Sequence, residues 1–354
     1  MNKKLINGIQ QIGVGVDNID RAFEWYAVMM GADVSVFEDS NEATYMAPYM
    51  GGMPHLKKAV LAVNLNGGGG YEHWQYLDRQ PSFPSEPLRV GDFGINIATI
   101  KSRHIEQSYQ RLKQHGVTLL SDIVTAPDQK RCFYVQDPWN NILQVKESSE
   151  WFLKGKSDVG GICGCVIGVS DIEHSRKLYS DILEYDEVVY DCTGVFDDLS
   201  QLPNGTGKFR RILLTHSAKR TGGFAPLFGK SHIELIQSVD GYAPKKVFAG
   251  RYWGDIGFIH LCFDIRNMAT LIEECAEKGF PFTVRSSASF DMGEANGSWG
   301  YLEDSDGTLI EFVETHKVPI LKKLNWYIRL DKRDPHKSLP RWIIKALRFK
   351  RVKF

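Results

Sequence analysis

The sequence predicts an α+β fold built from four βαβββ modules and followed by a basic tail, and three observations predict it. First, the chain repeats itself: GDFGINIATIKSRHIEQSYQRLKQHG (91–116) lies over GDIGFIHLCFDIRNMATLIEECAEKG (254–279) without a gap. DPWNNILQ (137–144) likewise lies over DSDGTLIE (304–311), and YEHWQ (71–75) over IELIQ (233–237). Second, each repeat opens with a strand-like run and one stretch at helical spacing, then returns to strand composition. Third, 354 residues exceed one ordinary domain and suit two of roughly 150 residues each.

The elements follow in order. GIQQIGVGVDN (8–18) has strand composition, and DRAFEWYAVMMG (20–31) places apolar residues at helical spacing before a terminal glycine. KAVLAVNL (58–65) is a strand, and YEHWQYL (71–77) is another, with Glu72 and Trp74 on one face and His73 on the other. The proline-rich DRQPSFPSEP (78–87) breaks the pattern, which restarts with GINIATI (94–100) and the helix HIEQSYQRLKQHG (104–116). RCFYVQDPWNNILQVKE (131–147) closes the second module with a hairpin turning at Asp137 to Asn141. The modules span 6–77, 91–147, 159–238 and 254–315, giving an expected first domain at 1–147, a linker at 148–158 and a second domain at 159–315. In the closing hairpin YLEDSDGTLIE (301–311), Asp304, Asp306 and Gly307 supply turn chemistry and Glu311 sits between Ile310 and Phe312. A carboxylate so flanked lies either on a solvated face or in a cavity with a partner, because an unpaired buried charge is costly. SAKRTGGFAPLFGK (217–230) is longer than its counterpart and reads as a surface loop long enough to lie over a cup.

Charge is balanced overall but unevenly placed. From His316 onward there are 13 Lys or Arg against 2 acids, which leaves 30 basic and 41 acidic groups in residues 1–315. An acidic body argues against nucleic-acid binding. The start MNKKLINGIQQ lacks a continuous apolar core, no run approaches the roughly 18 residues of a membrane span, and the chain reads as cytoplasmic. The six cysteines show no zinc-type spacing, and Cys163 and Cys165 share one strand face, so reduced core thiols are expected. In the extension 316–354, Pro340 is placed to open a helix, and RWIIKALRFKRVKF interleaves apolar residues with Lys and Arg. Residues 340–354 therefore either dock on the acidic body or touch an anionic membrane surface through Trp342, Ile343, Leu347 and Phe349.

The paired openings GIQQIGVGVDNIDRAFEWYAVMMGADV and GICGCVIGVSDIEHSRKLYSDILEYDEV, with hairpins ending in Gln144 and Glu311, resemble the vicinal oxygen chelate superfamily. That superfamily includes glyoxalase I, methylmalonyl-CoA epimerase, extradiol dioxygenases and bleomycin-resistance proteins, and the likeness covers residues 6–315. The resemblance implies two glyoxalase-like half-barrels, each a cupped sheet made by two modules, with a divalent metal held from the first and last strands of each module. Carried over residue by residue, it points to Gln11 and Glu72, Ile97 and Gln144, Gly164 and Glu234, and His260 and Glu311. Ile97 and Gly164 offer no ligand atom. Pairing in sequence order leaves both halves incomplete, with Glu234, His260 and Glu311 in the second. Pairing module one with module four, as in tandem glyoxalase I enzymes, collects Gln11, Glu72, His260 and Glu311. Such a set suits one divalent ion, Zn, Ni, Mn or Fe(II).

The chemistry implied is of isomerase or lyase type: the metal polarises a carbonyl of a small oxygenated substrate, and Glu72 or Glu311 removes a proton from the adjacent carbon. Gly15 stands where a glutathione-binding Arg would be expected, which argues for a different substrate. A rival reading is an extradiol-type Fe(II) dioxygenase, supported by Tyr301 ten residues before Glu311. Gly164 in place of its first His and Ser305 in place of a motif Pro oppose it. A third is a metal-free small-molecule binding protein, which needs only the cup.

Overall fold

The structure, a computed structural model, describes residues 3–155, 157–286, 290–292, 295–321 and 326–354. Module one holds β1 (Leu5–Gly15), α1 (Ile19–Met30), β2 (Val34–Glu42), β3 (Leu56–Val63) and β4 (Gly70–Tyr76). Module two holds β5 (Gly94–Ser102), α2 (Ile105–Gln114), the short β6 (Thr118–Leu119) and β7 (Val124–Thr125), then β8 (Arg131–Gln136) and β9 (Ile142–Glu147). Module three comprises β10 (Val159–Gly168), α3 (Ile172–Tyr179), β11 (Glu187–Gly194), β12 (Phe209–Thr215), α4 (Ala225–Phe228) and β13 (His232–Ser238). Module four comprises β14 (Gly257–Arg266), α5 (Met268–Glu277), β15 (Phe282–Arg285), β16 (Phe290–Met292), β17 (Ala295–Glu303) and β18 (Leu309–Leu321); β19 (Trp326–Arg329) and α6 (Arg341–Ala346) follow. Local chemistry explains the helix ends. The Asn18 side chain accepts from the Arg21 N–H at the start of α1, Gly31 ends it in the left-handed region at φ 66°, and Asp171 caps α3 through the His174 N–H.

This is an α+β protein with two mixed sheets, a half-barrel architecture of βαβββ modules. One sheet runs β15-β17-β18-β14-β1-β4-β3-β2 and the other β11-β12-β13-β10-β5-β9-β8-β6. The modules are therefore shared across the halves: module one pairs with module four through β1 and β14, and module two with module three through β5 and β10. The linker at 148–158 divides the sequence repeat, while each sheet draws on both sides of it. The first sheet also continues beyond residue 315, since β18 runs to Leu321 and pairs with β19 inside the stretch expected as an extension.

One face of each sheet packs with the helices in a single core that includes Ile12, Val14, Ile100, Cys165, Ile167, Leu261, Phe263, Ile310 and Phe312. Two matched hydrogen bonds tie helices to hairpin turns within it. Tyr26 of α1 donates to Asp137 at 2.6 Å, and Tyr179 of α3 donates to Asp304 at 2.8 Å. The inner face of the first sheet has its own cluster: Met46, Met50, Trp74, Tyr76, Trp253, Ile259 and Tyr301. The tail docks on the body. Ile344 is fully buried with Val34, Leu227 and Leu339, Arg341 lies over the Phe152 ring, and Arg351 pairs with Asp33. Trp342 and Phe349 remain 62% and 80% exposed, whereas Ile343 and Leu347 are partly covered, so the expected apolar quartet is split between packing and solvent.

Candidate metal centre

Register brings the site together. Gly13 of β1 pairs with His260 of β14 on one side and Glu72 of β4 on the other, Gln11 pairs with Cys262, and Cys262 pairs with Glu311 of β18. Because side chains alternate across a strand, Gln11, Glu72, His260 and Glu311 all project from the inner face. Nε2 of His260 lies 3.2 Å from a carboxylate oxygen of Glu72 and 3.2 Å from one of Glu311. One ligand atom from each of these three residues falls within 4.8 Å of the others. Gln11 adds its amide, which donates to Glu311 at 3.4 Å. Gly13 makes the close approach possible, since a Cβ there would stand 2.4 Å from Cε1 of the imidazole. His260 is fully buried, while Glu72 and Glu311 keep 13% and 9% of their side-chain surface.

The electrostatics are those of a concentrated negative site. Burial opposes charging of His260, but the carboxylates of Glu311 and Glu72 outweigh it and hold its pKa up to about 9. Burial likewise works against the Glu311 carboxylate, yet His260 beside it keeps that group below its ordinary value. Among the described residues, the buried Oε1 of Gln11 has no hydrogen-bond partner, and Nε2 of His260 faces only the two carboxylates. An imidazole nitrogen, an amide oxygen and two carboxylates converging at one buried point fit a borderline or hard divalent ion that retains water. Trp253 lies parallel to the imidazole at 6.1 Å between centroids, and the hydroxyl of Tyr301 approaches Nδ1 at 3.5 Å.

The other positions singled out in the sequence lie elsewhere. Glu234, the alternative to Glu72, belongs to the second sheet, where Nε of Arg211 donates to it at 2.5 Å. The same guanidinium reaches Asp198 at 2.8 and 3.1 Å. A cation of the chain's own thus neutralises the carboxylate equivalent to Glu72. In that sheet Ile97 is buried in an apolar cluster and Gln144 bonds to Thr99 and Tyr134. Gly164 lies under the His232 ring, and Gly15 lies against the carbonyl of Asp255. His73 faces the other way and is enclosed by Phe23, Tyr26 and Tyr71. The 217–230 stretch packs Phe228 on Gly8, bonds the Leu227 carbonyl to the Gly68 N–H and takes the Leu339 N–H at Gly223.

Tyr301, considered in the sequence only for the dioxygenase reading, stands directly opposite Glu311 across the β17–β18 hairpin. Its signal was available, since residues 301 and 311 are equidistant from the turn at Asp306. Gly13 and Trp253 carried no such signal. Two cavities of about 250 and 210 Å³ share Ile95, Val247, Arg251 and Phe258, and the smaller is also lined by Trp253 and Ile259.

Comparison with known proteins agrees with this architecture. Family profiles described as Glyoxalase/Bleomycin resistance protein/Dioxygenase superfamily match residues 8–145 and, separately, 165–297. Among solved structures, a single-residue variant of glyoxalase I from Zea mays aligns with a TM-score of 0.56 at 13% identity, covering 88% of this chain and 92% of that one. Glyoxalase I from Zea mays itself aligns at 0.52 and 12% identity over 88% of this chain and 92% of that one. A presumed dioxygenase from Bacillus subtilis aligns at 0.56 and 13% identity over 99% and 98%. At such identities the likeness is one of fold. No curated protein matches the sequence. With two tandem profile matches covering most of its length, the chain belongs to the glyoxalase/bleomycin resistance protein/dioxygenase superfamily.

Proposed function

We propose that the protein is a divalent-metal-dependent enzyme of glyoxalase type, with one metal per chain held by Gln11, Glu72, His260 and Glu311. It would catalyse proton abstraction next to a carbonyl of a small oxygenated substrate. The observation that carries this reading is the convergence of two carboxylates on one buried imidazole, with one ligand atom from each of Glu72, His260 and Glu311 within 4.8 Å of the others. A bound Zn, Ni, Mn or Fe(II) ion would supply Lewis-acid polarisation of the substrate carbonyl. The chain's own groups do the rest. Glu72, the more open carboxylate, takes the proton, and Glu311, wedged between His260 and Tyr301, holds the imidazole in register. Trp74, Trp253 and Tyr301 keep water from the reacting carbon. Ring cleavage at iron of the two-His type is less well supported, since the described residues bring only one imidazole to this point.

The test is exchange of the carbon-bound proton for solvent deuterium, followed by NMR on a panel of α-hydroxy carbonyl compounds with metal-loaded protein. Glu72→Gln should slow exchange by about 10²-fold or more, the usual contribution of a general base. Its metal content should fall less than its rate. Exchange that no compound shows, in protein verified to hold metal, would leave the superfamily's binding role as the better reading.

A further inference from the structure

We propose that the inner face of the second sheet binds a small oxyanion, a carboxylate or phosphate group, between Lys101, Lys146 and His232. Lys101 on β5 and Lys146 on β9 are register partners, and parallel pairing sets their side chains side by side. Both are almost completely buried, with 2% and 3% of their surface exposed. Lys146 has a partner in Asp128 at 2.9 Å. The Lys101 ammonium makes no hydrogen bond and no ion pair with any described residue, and only the more distant charges of Cys163 and Glu150 act on it. Its Nζ is located by Gly229, where an added Cβ would stand 3.2 Å away. From the opposite side, His232 of β13 pairs with Gly164 of β10, and the imidazole takes the space that a side chain on Gly164 would fill.

The charged groups around this point are mostly of one sign. Lys101, Lys146 and Lys130 act together on the buried Cys163 thiol, which burial raises and the three ammonium groups pull back. The same lysines add to burial in pushing His232 well below its ordinary pKa. Asp128 is already used by Lys146, and Glu150 acts on Lys101 without forming an ion pair. Burial works against the charged form of Lys101, and an anion beside it would restore that form. The repeat shows that this arrangement is particular to the second sheet: Asp264 occupies the place of Lys101 in module four, and Val313 that of Lys146. At these equivalent positions the two inner faces therefore differ, two lysines in module two against an aspartate and a valine in module four.

Isothermal titration of the full-length protein with inorganic phosphate and with acetate, each against matched chloride, tests the site. Saturable binding is expected for at least one of them, phosphate assigning a phosphate-type ligand and acetate a carboxylate. Lys101→Met should weaken it roughly tenfold or more, the size expected for a lost charged hydrogen bond. His260→Ala should bind the anion as wild type does, which separates this site from the metal centre. Should Lys101→Met fail to fold, His232→Asn supplies the second variant and should also lose affinity. Absence of saturable binding in the wild type, or unchanged binding in a folded Lys101→Met or His232→Asn variant, overturns the proposal.

Discussion

At the scale of residues, the contrast between the two inner faces rests on a few substitutions at equivalent positions. Glu72 meets an imidazole, and Glu234 meets a guanidinium. Arg211 with Asp198 and Glu234 forms a buried charge triad, and such groups are expensive to leave unpaired. Arg211→Met should therefore destabilise the fold by about 3–5 kcal/mol in urea titrations. Adding Asp198→Asn and Glu234→Gln should recover most of that loss, and no recovery would mean that Arg211 acts by packing. At the first face, Gly13→Ala should cost metal affinity because a methyl group there cannot coexist with the present imidazole position. Retention of wild-type metal content by Gly13→Ala would contradict that role. The resemblance to the vicinal oxygen chelate superfamily, carried over at aligned strand positions, pointed to Gln11, Glu72, His260 and Glu311, and the strand register brings these four to one face. Gly13 and Arg211 were not legible, because they matter through contacts across neighbouring strands that no single-strand pattern encodes.

At the scale of elements, helix and hairpin are joined by the same device in both halves. Asp137 accepts from Tyr26, from the Asn141 side chain and from the backbone N–H groups of Trp139 and Asn141. Asp304 accepts from Tyr179 and from the N–H groups of Asp306 and Thr308. Tyr26→Phe and Tyr179→Phe should each cost about 1–3 kcal/mol, the penalty for a buried acceptor deprived of a donor. Burial pushes the Asp137 carboxyl up to about 6 despite these hydrogen bonds. The unfolded value is about 3.9. The folded state then binds more protons between these values, so the group's contribution is fully present below pH about 4 and is lost as pH rises through about 6. Asp264, also raised by burial to about 6, adds a slope of the same sign. Urea midpoints measured from pH 4 to 7 should fall less steeply in Asp137→Asn than in wild type, and parallel curves would contradict the assignment. The alternation of strands and helices made these elements legible, and turn chemistry located both hairpins. The tyrosine bonds escaped notice because Tyr26 and Tyr179 look like ordinary apolar positions of amphipathic helices.

At the scale of the whole molecule, the chain folds back so that its first and last modules share a sheet and enclose the carboxylate–imidazole cluster. No helix of the described residues is long and apolar enough to cross a membrane. The tail spends Ile343, Ile344 and Leu347 on the body and leaves Trp342 and Phe349 exposed. Full-length protein should accordingly remain unbound in flotation with anionic liposomes at physiological salt, and removal of residues 340–354 should lower the thermal midpoint. Flotation of the intact chain but not of the shortened one would instead assign the tail to a lipid surface. The module pairing followed from asking which combination completes a ligand set, and the continuation of β18 past residue 315 did not, because the basic charge of residues 316–354 set that stretch apart from the modules. The central claim is that the first sheet holds one divalent ion per chain. Elemental analysis of purified protein after reconstitution should find close to one equivalent in wild type and a large loss in His260→Ala and Glu311→Ala that remain folded. Wild type that takes up no metal, or variants that keep as much as wild type, would contradict it.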